Sequence, residues 1–106
     1  MITTQDIVKI SSYFTVIHHT PGRLRTKIDK SIVNDIKNIS LQDITTLPNQ
    51  VDGLTSIKIN KITATATILY DSSVFAPKIW NDLITGVNLE EVLNILNELQ
   101  HKLKEV

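Results

Sequence analysis

Two runs of alternating apolar and polar residues, 54–60 and 64–70, are joined by only Lys61-Ile62-Thr63. In the first, Ile57 and Ile59 alternate with Ser56 and Lys58. In the second, Ala64, Ala66, Ile68 and Tyr70 alternate with Thr65, Thr67 and Leu69. A period of two puts each set on its own face, and so short a link predicts a hairpin. Asp52-Gly53 ahead of it reads as a turn. Any fold for this chain must therefore contain an antiparallel sheet.

The same period runs through residues 13–28. Phe14, Val16, His18, Leu24, Thr26 and Ile28 share even parity, and Tyr13, Thr15, Ile17, His19, Arg23, Arg25 and Lys27 share odd parity. The alternation does not slip across Pro21-Gly22. That predicts one long strand, bent or bulged at Pro-Gly, in preference to a tight hairpin, with the proline at a sheet edge or a bulge. Over 31–47, Ile32, Val33, Ile36, Ile39, Ile44 and Leu47 recur at helical spacing, with Ser40 as an interruption and Pro48-Asn49 as the end. Pro77 and Gly86 bracket another helix, whose apolar stripe is Ile79, Trp80, Leu83 and Ile84. Thr4 is placed to cap a short helix near the start. Near the end, Asn88 and Glu91 have capping-box spacing. Leu89, Val92, Leu96, Leu99, Leu103 and Val106 then form a short heptad seam. Such a seam docks a helix on its own sheet or pairs it with a second chain.

Strand, helix, strand, strand, helix is the order of an α+β fold, a ferredoxin-like βαββα sandwich. The expected sheet has three or four antiparallel strands, with an extra C-terminal amphipathic helix. A fourth strand would follow the second helix, but Gly86-Val87-Asn88 is too short to form it. Either another segment supplies it or an edge stays open for pairing. The expected organisation is an N-terminal extension over 1–12, the domain over 13–86, and a C-terminal helix over 87–106 that packs on the domain or on a partner. A chain of 106 residues suffices for one sheet and a layer of helices, not for an enclosed cleft of its own.

Composition removes several functions. Lys plus Arg and Asp plus Glu each number 11, so no net charge points to nucleic acid. The aromatic residues are Tyr13, Phe14, Tyr70, Phe75 and Trp80, too few for a base-stacking platform. The absence of cysteine excludes disulfides, thiolate metal sites and cysteine nucleophiles. Gly22, Gly53 and Gly86 are the only glycines, so there is no phosphate loop, and no Ser/His/Asp arrangement has motif context. The chain is not expected to be an enzyme. With no apolar run approaching ~20 residues and no basic, apolar leader, a cytoplasmic location is expected.

Three separated motifs are more specific. They are His18-His19-Thr20-Pro21-Gly22-Arg23-Leu24-Arg25, the run from Val51-Asp52-Gly53-Leu54 to Asn60, and the strand ending in Tyr70-Asp71. Over residues 13–84 the chain resembles the cysteine-less variant of the heavy-metal-associated domain, a second heavy-metal-associated family. Those domains resemble the metal-binding modules of copper chaperones and P-type metal-transporting ATPases. In their His-x-x-Pro-Gly-Arg-x-Arg pattern, His18, Pro21, Gly22, Arg23 and Arg25 fit, and His19 is an extra neighbour. Leu54 stands where valine is usual. The resemblance implies fold ancestry and a link to metals. It does not extend to the Cys-x-x-Cys loop of the chaperones, and soft Cu(I) needs thiolate or thioether ligands.

Adjacent residues on a strand point to opposite faces, so His18 and His19 do not share an ion. By parity His18 falls with the apolar set. His19 falls with Arg23, Arg25 and Lys27, and is the candidate ligand for a transition metal ion or a metallocofactor such as haem. A lone imidazole binds weakly, and a second His19 from a symmetric dimer would complete a bis-imidazole site. Pro21, Gly22, Arg23, Arg25 and Lys27 make up a loop and basic patch. Residues 80–106 hold five acids against two lysines. The patch suits an anion, an acidic partner or an anionic membrane surface, and the opposed charges suit self-pairing. Two functions follow. One is a metal or metallocofactor module, in trafficking or transporter regulation. The other is a metal-free protein-interaction or scaffold domain using the open sheet edge and the helix of Leu89, Val92, Leu96, Leu99 and Leu103. The expected partners are a second copy or another protein, such as a membrane transporter.

Overall fold

A computed structural model describes residues 3–36 and 39–104, with side chains described through Leu99. The first helix, α1, spans Thr4–Ser11. Its cap is Thr3, one residue before the expected Thr4. The Thr3 hydroxyl accepts from the Asp6 N–H, and the Asp6 carboxylate accepts from the Thr3 N–H, which satisfies two donors of the first turn. Ile7 and Ile10 bury the inward face of α1.

The segment expected as one strand is a hairpin. Strands β1 (Phe14–Thr20) and β2 (Arg23–Ile28) pair antiparallel, and Pro21-Gly22 turns between Thr20 and Arg23. Gly22 sits at φ 90°, the left-handed value that a turn of this type asks of its second central residue. The unbroken parity has a geometric origin. A two-residue turn inverts parity between paired strands. Here the register also slips between Val16 and His18, so Ile17 is a bulge that inverts parity again. The two inversions cancel, and the pattern mimics an unbroken strand.

The expected helix over 31–47 is broken. Helix α2 spans Ile32–Asp35, and Ile36 then takes an extended conformation. Ser40 starts α3 (Leu41–Thr45) with its own capping box to Asp43, and a 3-10 turn follows at Leu47–Asn49, around Pro48. Ile32, Ile36, Ile44 and Leu47 are all buried nonetheless. Ile39 is half-buried, but Val33, expected in the same apolar set, is 63% exposed, because α2 ends after Asp35 and does not continue the expected helix.

Strands β3 (Leu54–Asn60) and β4 (Thr65–Tyr70) form the expected hairpin. Helix α4 runs Pro77–Thr85 and ends at Gly86 with φ 77°. Helix α5 runs Leu89–Lys104 after Asn88, whose φ is 50°. The sheet order is β1-β2-β4-β3, antiparallel throughout. The sequence β2, helices, β3, β4, α4 is the βαββα string of a ferredoxin-like α+β fold. The fourth strand does come from elsewhere: β1, ahead of the string, pairs along the outer edge of β2.

The helices lie on one face of the sheet. Leu24, Thr26 and Ile28 of β2, Ala66, Ile68 and Tyr70 of β4, and Ile57 of β3 are buried there with Trp80, Leu83, Val92 and Leu96. Helix α5 packs against α1 and α4, and the Thr4 hydroxyl donates to Asn97 Oδ1 at 2.6 Å. The other face of β2 carries Arg23, Arg25 and Lys27, all exposed.

Candidate functional site

The bulge at Ile17 decides where the histidines point. Beyond it, His19 pairs with Leu24 and His18 with Arg25. Paired residues share a face. His19 is therefore on the core side and His18 on the open side, the reverse of the parity assignment. His19 is half-buried at the strand end, and His18 is exposed.

The His19 ring belongs to an aromatic cluster. Its Nε2 shares a hydrogen bond of 2.6 Å with the Tyr70 hydroxyl, the donor being set by the imidazole tautomer. Tyr70, 5% exposed, lies with its ring centre 5.5 Å from Trp80, and Trp80 stacks on Phe75 at 4.4 Å and 20°. Ligation at His19 Nε2 would require giving up the Tyr70 bond. Tyr70 was legible as an inward residue, but nothing in the sequence tied it to His19. Beyond it, Asp71 accepts from the Ser73 hydroxyl and N–H, which hold its carboxyl below its ordinary pKa. These bonds and Asp71 N–H to Gly53 carbonyl at 2.7 Å fasten the loop next to the site.

The open face is a grid of cross-strand rows. The middle row reads His18, Arg25, Thr67, Lys58 across β1, β2, β4 and β3. On one side lie Thr20, Arg23, Leu69 and Ser56, and on the other Thr15, Lys27, Thr65 and Asn60. Arginine and lysine recur in these rows without a carboxylate among them. Successive residues on this face are roughly 7 Å apart along a strand and neighbouring strands about 5 Å apart, so the charges reinforce one another. Lys58 joins the expected patch of Arg23, Arg25 and Lys27. Its alternation against Ile57 and Ile59 placed it outward, but only the sheet order puts it in a row with Arg25.

Pro21 and Gly22 serve as the turn between β1 and β2. A side chain at Gly22 would put its Cβ 3.3 Å from the Tyr70 carbonyl oxygen. Of the heptad seam, Val92, Leu96 and Leu99 are buried in the chain's own core and Leu89 is half-buried. The three buried side chains lie where α5 packs against α1 and α4. Leu103 falls outside the described side chains, and Val106 outside the described residues. Among the described residues no three His, Asp or Glu side chains gather where they could hold a metal ion. No helix among them is long and apolar enough to cross a membrane.

A sequence model of the family described as heavy metal associated domain 2 matches residues 4–105. The match extends beyond the 13–84 spanned by the motifs and takes in both α1 and α5. No curated protein and no solved structure gives a significant match.

Proposed function

The chain belongs to the heavy metal associated domain 2 family, and from that premise we propose that it is a non-enzymatic module that binds an anionic metallocofactor, of which haem is the type, on its open sheet face. The observation that carries this reading is the middle row, in which an exposed imidazole, His18, stands beside Arg25 with Arg23, Lys27 and Lys58 around it. Such a cofactor needs one nitrogen ligand on its metal and cations for its carboxylates, and both are present on one face. His18 carries the ligand role in this reading, because the nitrogen of His19 that usually ligates is engaged by Tyr70.

One imidazole leaves the metal short of ligands. A second copy of the face would complete the set, and an anionic cofactor between the two faces would offset their repulsion. A bare divalent cation has no such advantage, since the surrounding cations repel it. The alternative is a metal-free docking face for an acidic protein partner, which the same cations favour.

Absorbance titration with haem, and calorimetry with Cu(II), Ni(II) and Zn(II), separate the two. Wild type and His19→Ala are expected to give a haem Soret shift that saturates at one haem per two chains, and His18→Ala to lose it. No haem-dependent spectrum, or a spectrum that survives His18→Ala, overturns the cofactor reading and leaves the docking face.

A further inference from the structure

The end of the sheet farthest from Gly22 exposes apolar side chains with no place in the core. Ile62, in the turn between β3 and β4, is 91% exposed, and Val33 on α2 is 63% exposed. A groove of about 320 Å³ runs beside them, lined by Ile28, Ile32, Leu41 and Ile59, with Lys30 and Lys61 at its rim. Lys27 pairs with Thr65, the first residue of β4, and Lys58 lies two residues before the end of β3, so both reach this end from the open face. The carboxylates nearest in the chain, Asp29 and Asp35, are exposed and accept local hydrogen bonds, Asp29 from the Ser31 N–H and Asp35 from the Tyr13 hydroxyl, and the four lysines outnumber them.

Exposed apolar residues flanked by lysines match a particular surface. A flat protein partner would leave Ile62 poorly packed, because a single projecting side chain needs a matching pocket. A lipid boundary deforms around it. Lysines can lay their stems along apolar surface while their ammonium groups stay at the headgroups. We propose that this end of the sheet docks on an anionic membrane surface, with Ile62 and Val33 entering the acyl boundary and Lys27, Lys30, Lys58 and Lys61 against the lipid phosphates. These cations select anionic over zwitterionic lipid. The surface shares Lys27 and Lys58 with the open face, but its apolar residues and Lys30 and Lys61 lie outside the row of His18, and the proposal does not depend on a cofactor there.

Co-sedimentation of the whole chain with phosphatidylcholine vesicles, with and without about 30% phosphatidylserine, tests it. Binding is expected only to the anionic vesicles and should weaken as salt rises. Ile62→Ser and the double variant Lys58→Glu, Lys61→Glu should each lower partitioning about tenfold, with unchanged circular dichroism. The double variant Arg23→Ala, Arg25→Ala should keep most of it. Failure to bind anionic vesicles overturns the proposal. So does binding that Ile62→Ser leaves unchanged, since a purely electrostatic surface would serve an acidic protein equally well. Loss only in the arginine variant assigns attraction to the open face and also overturns it.

Discussion

Gly22 carries two demands at once. Its φ of 90° lies where a β-branched residue is strained, and the Tyr70 carbonyl stands 3.3 Å from the position of a Cβ. That carbonyl belongs to the residue whose hydroxyl holds His19, and Tyr70 N–H donates to the Gly22 carbonyl at 3.0 Å. Gly22→Val is therefore expected to cost at least about 2 kcal/mol, read by denaturant unfolding, and to loosen the His19–Tyr70 contact. Unchanged stability would mean that the turn takes another conformation. At this scale the sequence was informative about residue type. Pro21-Gly22 reads as a bend or bulge in one strand where the chain in fact turns, and Tyr70 was placed inward by its parity with Ala66 and Ile68. It said nothing of which turn residue faces which strand, because a φ value depends on the chain reversing there.

The first hairpin shows what an element's pattern hides. Its period of two survives a turn and a bulge together, so no count of alternations distinguishes it from a single strand. Only the antiparallel pairing of β1 with β2, which sets His19 against Leu24 and His18 against Arg25, establishes β2 as a strand of its own. The bulge can be tested directly. Deleting Ile17 leaves Val16 on Thr26 and His18 on Arg25 in one continuous register. The variant is expected to fold, within about 1 kcal/mol of wild type, with His18 still outward and His19 still on Tyr70. Nuclear Overhauser contacts between the His19 and Tyr70 rings report this, and their loss in a folded variant would contradict the register. The stretch from Ile32 to Leu47 teaches a related lesson. Burial follows the apolar spacing at Ile32, Ile36, Ile44 and Leu47 but not at Val33, while continuity of the helix is decided by Ser40, whose side chain and backbone both bond to Asp43.

Across the molecule, α5 completes the core by packing on α1 and α4, with Leu96 1% exposed among its apolar neighbours. Leu96→Ala is expected to lower stability by about 2–5 kcal/mol, and thermal unfolding of both proteins should be independent of protein concentration. A concentration-dependent midpoint that the substitution abolishes would instead place Leu96 at an interface between chains. The sequence by itself determined the α+β class, the β3–β4 hairpin, the α4 and α5 helices and the apolar residues that face inward. These follow from local period and from the chemistry of caps, proline and glycine, which need no distant contact. The tertiary structure decided the rest. It drew the missing fourth strand from ahead of the βαββα string, because the edge of β2 has unpaired backbone groups that β1 can satisfy. It exchanged the faces of His18 and His19 through one bulged residue. It also aligned Arg25 and Lys58, 33 positions apart by their numbers, in one row of the sheet. Register and strand order are relations between segments, and a pattern read along one segment does not contain them.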